Sequence, residues 1–232
     1  LDKEPLRQHP RAFVADDCNI KKLMHLHTSG TTGKPIDLWL SRETLRAYYA
    51  IFEARLRRWY GVSRFDHWAI LGGQLITPVE QTRPPFWVWN RGMNQLYMSS
   101  YHLARQFLPH YLEALERHQI RFIHGYASSI YALAQEIVRS GYQPPQMRVV
   151  VTNAEPLYAH QREIITQAFG CPVYETYGMT EIVTSASECK HGQLHLWPDT
   201  GHVEIVGDGD PLVDPGNIGA LICTGLINGD MP

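Results

Sequence analysis

Eight consecutive residues, Thr28-Ser29-Gly30-Thr31-Thr32-Gly33-Lys34-Pro35, gather two glycines, four hydroxyls and one lysine. Glycine allows positive φ and close approach of backbone to a ligand. Successive N–H groups turned inward form an anion-binding nest. Hydroxyls add donors, and a lysine adds a mobile positive charge. The chemistry is that of phosphate binding. The P-loop of NTPases is excluded, because it needs four residues between its first glycine and Gly-Lys, then Ser or Thr. Here two residues separate Gly30 from Gly33, and Pro35 follows the lysine. A polar hairpin turn has a similar composition, so the loop needs a second, independent motif.

That motif is Glu175-Thr176-Tyr177-Gly178-Met179-Thr180-Glu181. A tyrosine face can stack on a flat ring, and Gly178 permits backbone approach. Thr180 and Glu181 put a hydroxyl and a carboxylate side by side. A carboxylate facing bare phosphates would repel them, so Glu181 makes sense there with Mg²⁺ between. The alternative is a polar loop with an acidic cap. Cys189, His191, His195 and Cys223 are soft ligands that could hold structural zinc, although C-x-H-x-x-x-H matches no strong zinc signature. The plainer alternative makes His195 strand-facing and Cys223 a core thiol. His25 and His27 share a strand face, where packing is expected.

The elements that position these residues are legible from periodicity. Lys22–His27 and Ile36–Leu40 read as strands, so the first motif joins two strands rather than opening a helix. Ser41 is an N-cap, and Glu43 suits the first turn. Leu45, Tyr48, Tyr49, Phe52, Leu56 and Trp59 recur at helical spacing up to Gly61 and are expected in the core. Ala69–Gly73 is a buried strand. Residues 74–100, rich in Pro, Trp, Tyr and Met, are expected to be irregular. Residues 103–118 are helical, with Pro109 kinking or dividing them. Arg121–His124 is a strand, Gly125-Tyr126-Ala127 a turn, and Ser128 the cap of a helix closed by Gly141. Arg148–Thr152 is a strand. A helix runs from about Leu157 to Phe169, and Pro172–Glu175 is the next strand. This alternation defines an α/β fold, a parallel sheet with packed helices. Ligands of such sheets bind outside the carboxyl ends of the strands, which nominates the loops 124–128, 152–156 and 176–181. After 181, strands at Leu194–Trp197, His202–Val206 and Ile218–Ile222 have no helices between them. They read as the start of a small antiparallel β subdomain, giving regions 1–181 and 182–232.

The 232 residues carry 44% apolar side chains, enough for one large domain or two small ones. A net charge of −2 leaves no electrostatic footprint for nucleic acid. No stretch is long and apolar enough to span a bilayer, and no basic-then-apolar leader is present. Four cysteines without a CxxC pair favour a reducing, cytoplasmic compartment. The opening Leu1 and the end at Asn228-Gly229-Asp230-Met231-Pro232 suggest a piece of a longer protein.

Together the two motifs, at this separation and on this strand pattern, resemble the adenylate-forming (AMP-binding) superfamily. Within it the chain is most similar to the phenylacetate–coenzyme A ligase family, including relatives linked to capsular polysaccharide synthesis. Leu1-Asp2-Lys3-Glu4, Asn153-Ala154-Glu155-Pro156, and Glu188-Cys189 followed by Leu194-His195-Leu196-Trp197 carry that closer likeness. The resemblance implies that Ser29, Gly30, Thr31, Thr32 and Gly33, after Thr28, grip the ATP β- and γ-phosphates, with Lys34 as a mobile contact. It implies adenine contacts from Asn153, Ala154, Glu155 and Pro156. Along Glu175, Thr176, Tyr177, Gly178 and Met179, Tyr177 would lie near adenine or the acyl group. Thr180 would meet the α-phosphate and Glu181 Mg²⁺. His124, Gly125 and Tyr126 would shape the acyl pocket, with Ala154 and Gly178 setting its depth. Trp87, Trp89, Tyr97 and Tyr126 would favour an aryl acid if they line it. The implied reaction joins a carboxylic acid to ATP, releases pyrophosphate, and passes the acyl group to coenzyme A. Passage to a non-CoA acceptor, such as a sugar amine, and a non-catalytic nucleotide-binding protein are the alternatives. A kinase-like transfer would yield ADP instead of AMP. The family often forms dimers. Its ribose-binding aspartate lies downstream of Asp230, and its C-terminal lid domain lies further on. This stretch alone is therefore expected to bind nucleotide poorly and turn over slowly. Asn153 departs from the small glycine of many relatives.

Overall fold

The computed structural model describes residues 3–28, 35–207, 213–214 and 216–231. The motif residues Ser29–Lys34 lie outside these. Contacts divide the chain into two compact units. The smaller comprises Leu1–Ala54, Gly178–Ala186 and Leu196–Pro232; the larger comprises Arg55–Tyr177 and Ser187–His195.

The smaller unit opens with a short helix, α1 (Lys3–Gln8), and an antiparallel pair, β1 (Met24–His27) and β2 (Asp37–Leu40). Met24 pairs with Leu40 and His27 with Asp37, so the first motif does join two strands. Ile36, Leu38, Trp39 and Met231 form the apolar core beneath this pair, with Leu6, Phe13 and Ile20 against it. Ser41 caps α2 (Arg42–Phe52) as expected, its hydroxyl accepting the Thr44 N–H at 3.1 Å. Asp230 adds a second acceptor. It takes the Ser41 N–H at 2.8 Å and the Thr44 hydroxyl at 2.7 Å. Burial pushes its carboxyl up, but these donors outweigh burial and hold it below the usual range.

The larger unit is built on an α/β sheet. Its strands are β3 (Trp68–Gly72), β4 (Trp87–Asn90), β5 (Gln95–Ser99), β6 (Phe122–Tyr126), β7 (Val149–Asn153), β8 (Val173–Gly178), β9 (Ser185–Glu188) and β10 (Leu194–Leu196). The order across the sheet is β10-β9-β8-β7-β6-β3-β5-β4. Strands β5, β3, β6, β7 and β8 run parallel; β4 is antiparallel to β5. The first four residues of β6 and of β7 are buried without alternation, the mark of a parallel sheet covered on both faces. The helices α3 (Leu108–Arg117), α4 (Ala127–Ser140) and α5 (Ala159–Phe169) supply cover. One core runs from Leu71 and Leu96 through Tyr111, Leu115, Ile123 and Ile130 to Val150 and Ile165. Each such side chain contributes about 1.5–3 kcal/mol by burial.

Several expectations change. The stretch 74–100 is not all irregular, since it contains β4 and β5. Gly125 and Tyr126 end β6 rather than forming a turn, and α4 starts at Ala127, so Ser128 lies inside the helix instead of capping it. Pro109 divides rather than kinks its segment: a 3₁₀ turn covers Arg105–Phe107 and α3 begins at Leu108, with Pro109 in its first turn, where a missing N–H costs nothing. Tyr49 (53% exposed) and Trp59 (45%) leave the aromatic stripe for the surface. The helix expected to reach Gly61 becomes a π-helical turn at Glu53–Arg58, which shifts the side-chain spacing. Beyond β10, β11 (Gly201–Val206) and β12 (Ala220–Gly225) form a separate antiparallel pair, with His202 opposite Thr224.

Candidate functional site at the carboxyl ends of the strands

Parallel strands β6, β7 and β8 end side by side, with Tyr126 opposite Asn153 and Thr152 opposite Glu175. Three of the expected residue groups therefore meet at one edge of the larger unit. Gly125 has no room for a side chain, because a Cβ would lie 2.1 Å from the Leu71 carbonyl oxygen on β3. Tyr126 lies over Gly73, whose added Cβ would sit 3.0 Å from the Tyr126 ring. Close by, the Tyr101 hydroxyl donates to the Gly73 carbonyl at 3.1 Å, and the Tyr97 hydroxyl donates to Gln74. His124 is set back within β6, 7% exposed, near the Trp68 ring. Burial first, then the Arg57 charge, lowers its pKa to about 4, so it is neutral at pH 7.

The loop after β7 is constrained. The Asn153 Oδ1 is buried with no hydrogen-bond partner among the described residues. Ala154 takes φ 64°, a left-handed conformation that L-residues rarely adopt. The Glu155 carboxylate turns to α4, accepting the Ser128 N–H at 2.8 Å and the Ser128 hydroxyl at 2.9 Å. Pro156 is exposed. On β8, the buried Thr176 hydroxyl donates to the Thr152 carbonyl at 2.7 Å, locking β7 to β8. The Glu175 carboxylate accepts the Leu157 N–H at 3.3 Å. Tyr177 is 42% exposed.

The smaller unit holds the rest of the second motif. A Cβ on Gly178 would meet the Ser185 hydroxyl at 3.4 Å, a tight fit. Met179 accepts the Ile182 N–H at 3.1 Å, closing a turn that presents Thr180 and Glu181. Ile182 takes φ 60°, a strained setting for a β-branched residue. Of the first motif, Thr28 is described. Its N–H donates to the Ile36 carbonyl at 3.0 Å, and its hydroxyl accepts the Ile36 N–H at 2.9 Å. Thr28 thus fixes the neck of the loop. His25 stacks on Trp39 and reaches Asp37 at 2.7 Å.

Two expectations fail. Among the described residues no three His, Cys, Asp or Glu side chains converge as a metal site. Cys189, His191, His195 and Cys223 therefore do not form a zinc set. Cys189 and His191 sit in the turn between β9 and β10. There backbone N–H groups of Gln193 and His191, then His195, hold the Cys189 thiol below its usual range. Cys223, on β12, pairs with Val203 of β11. Nor do the four aromatic residues share a pocket. Trp87 and Trp89 line a groove of about 440 Å³ along the β4 side of the sheet, against His110, Glu113 and Arg117 of α3. Tyr97, in the middle of β5, reaches Gln74 beyond the end of β3, and Tyr126 ends β6.

Sequence reasoning also missed an anchor behind the site. Glu188, 5% exposed, accepts Arg162 through both oxygens at 2.9 Å and the Glu175 N–H at 2.7 Å. Its signal was a carboxylate closing a run of small residues, Thr184-Ser185-Ala186-Ser187, with Arg162 on α5.

The fold and these motifs are those of AMP-binding enzymes. The family model of that description, "AMP-binding enzyme", matches residues 21–225, and the chain belongs to this family. It is 28% identical over 236 residues to Protein CapK of Staphylococcus aureus, covering 100% of this chain and 50% of that protein. The chain thus spans about half the length of that relative. A crystal structure of 2-hydroxyisobutyryl-CoA ligase, with 2-HIB-AMP and CoA in the thioesterification state, has a TM-score of 0.71 at 18% identity, over 100% of this chain and 51% of that one. O-succinylbenzoate coenzyme A synthetase from Bacillus subtilis, in complex with AMP, has a TM-score of 0.53 at 19% identity, over 87% and 40%. At these identities the likeness is one of fold.

Proposed function

We propose that the full-length protein activates a carboxylic acid, of aryl or arylacetic type, with ATP to an acyl-adenylate, and then forms a thioester with coenzyme A. The observation that carries this reading is the meeting of the 124–126, 153–157 and 175–177 segments at the carboxyl edge, inside the region matched by the family. A buried, unpartnered Asn153 oxygen costs about 1–3 kcal/mol. An adenine amino group would satisfy it. Strained residues cluster at functional sites, and Ala154 and Ile182 sit in or beside the two loops in question.

In this reading the loop Ser29-Gly30-Thr31-Thr32-Gly33 binds the β- and γ-phosphates and Lys34 adds charge. Asn153, Ala154 and Pro156 line adenine, Tyr177 stacks beside it, and Thr180 donates to the α-phosphate. Gly125 and Tyr126 shape the acyl pocket, backed by His124. The Glu181 carboxylate is a hard oxygen donor, which suits Mg²⁺; that ion would supply charge neutralisation at the phosphates. Residues 1–181 act as the nucleotide- and acyl-binding region, and 182–232 begin a β subdomain. Positioning and charge stabilisation carry such a reaction without a protein nucleophile.

The test is ATP–pyrophosphate exchange by the full-length protein with Mg²⁺ and a panel of aryl and alkyl carboxylates. Exchange with one acid class supports the reading. Replacement of Glu181 by Gln should then lower the rate by about 100-fold or more. AMP release that needs coenzyme A identifies the acceptor, whereas release that needs an amine identifies the non-CoA alternative. ATP binding without exchange in any mixture would sink the reading.

A further inference from the structure

The loops at the carboxyl edge are tied together by carboxylates that accept backbone N–H groups. Glu155 reaches from the loop after β7 to Ser128, taking its N–H and hydroxyl at 2.8 and 2.9 Å. Ser128 is the second residue of α4, where backbone N–H groups lack intrahelical acceptors and the helix dipole favours negative charge. Glu175 approaches the same loop from β8 and takes the Leu157 N–H at 3.3 Å. The Glu175 backbone is itself fixed by Glu188, at 2.7 Å from its N–H. Arg162 in turn holds Glu188 through both oxygens and donates to the Val173 carbonyl. The loop 153–157 is therefore braced on two sides by negative charge. It needs bracing, because Ala154 is held at φ 64° and the Asn153 oxygen is buried unsatisfied. Left free, the loop would relax both.

We propose that Glu155 and Glu175 are positioning residues: their carboxylates hold the 153–157 loop in a strained, nucleotide-ready conformation rather than touching nucleotide or metal. The kinetic part of this inference rests on the adenylation reading; the bracing does not. A carboxylate whose two oxygens are engaged by a serine N–H and hydroxyl is already neutralised locally. It is a poor choice as a ligand for phosphate or Mg²⁺.

The experiment uses the full-length protein and two readouts. Amide hydrogen exchange follows residues 153–157 and the first turn of α4. Steady-state ATP–pyrophosphate exchange gives KM for ATP and kcat separately. Ser128→Ala, Glu155→Ala and the double variant form a cycle; Glu175→Ala is compared with Glu175→Gln. Glu155→Ala should speed amide exchange in both segments and raise KM for ATP about tenfold, with kcat changed less than about threefold. Ser128→Ala should add nothing in the Glu155→Ala background. Glu175→Gln, which keeps an acceptor oxygen, should recover most of what Glu175→Ala loses. Glu155→Gln, with its shape intact, serves should the alanine variant fold poorly, and it should fall between wild type and alanine. Multiplying effects in the cycle, or a loss in kcat with amide exchange unchanged, would overturn the proposal, because either result puts the carboxylate on the ligand. If the unmodified protein shows no pyrophosphate exchange, the adenylation reading falls. Amide exchange then still decides the bracing, and unaltered protection in Glu155→Ala would overturn it.

Discussion

Two side chains at the carboxyl edge carry measurable consequences by themselves. His124 is neutral when folded, with burial and Arg57 lowering its pKa to about 4. In the unfolded chain a histidine titrates near 6.5. Between these values the unfolded state holds the extra proton, so stability falls as pH drops from about 6.5 to about 4 and this contribution is flat outside that window. The loss is about 3 kcal/mol at most. Urea midpoints at pH 7 and pH 4.5 should show it, and His124→Gln should flatten the difference; equal pH dependence in the variant would remove His124 as its source. Asn153 makes the opposite kind of statement. An unsatisfied buried amide oxygen destabilises the free protein. Asn153→Leu, close in volume, should raise the melting temperature without nucleotide and weaken ATP binding about tenfold or more. A lower melting temperature would mean that the oxygen has a partner.

At the scale of elements, the contacts between strands and helices set the geometry of the edge. Gly125 lets β6 lie against β3, since a Cβ would collide with the Leu71 carbonyl oxygen at 2.1 Å. Gly125→Ala must separate the two strands, and a loss of about 1–3 kcal/mol or more in chemical denaturation is expected. Behind β8, Arg162 and Glu188 form a pair whose carboxylate is nearly fully buried. Arg162→Ala leaves that charge unpaired and should cost about 3–5 kcal/mol, whereas Arg162→Met with Glu188→Leu should cost less, because no ion is stranded. Equal losses in single and double variants would contradict a buried-charge origin. Neither element contact was visible in the sequence. Gly125 read as a turn glycine, and it is a strand glycine. Glu188 read as part of a family signature, and it is the anchor of β8.

For the molecule as a whole, stability should be uneven. Strands β6 and β7 are buried along most of their length, with Val150, Ile123 and Phe122 fully inside. Strand β12 is exposed along most of its length, with Leu221 43% and Ile222 46% exposed, and among the described residues it pairs with β11 alone. A two-stranded ribbon is marginal by itself. Amide exchange in this chain should therefore be slowest in β6 and β7 and faster by several orders of magnitude in Ala220–Gly225. Comparable protection would mean that β12 has found a further partner.

Much of this was decided locally. Capping at Ser41, the C-terminal glycines Gly141 and Gly170, and the apolar runs of β6 and β7 are short-range signals, because they follow from hydrogen-bonding and burial within a few residues. The alternation of strand and helix therefore sufficed for a parallel α/β sheet, and two motifs of particular residue types sufficed for the family. Tertiary structure alone decided the rest. It drew β4 and β5 out of a stretch dense in proline and tryptophan, since β5 is held by the earlier strand β3 and β4 in turn by β5. It sent Trp87 and Trp89 to a side groove and Tyr126 to the carboxyl edge, and among the described residues it left the four soft ligands without a converging metal site. It turned the carboxylates of Glu155 and Glu175 inward onto backbone N–H groups. A side chain's type states what it can bind; which partner it meets depends on register and packing, and those are set by contacts between segments far apart in the chain.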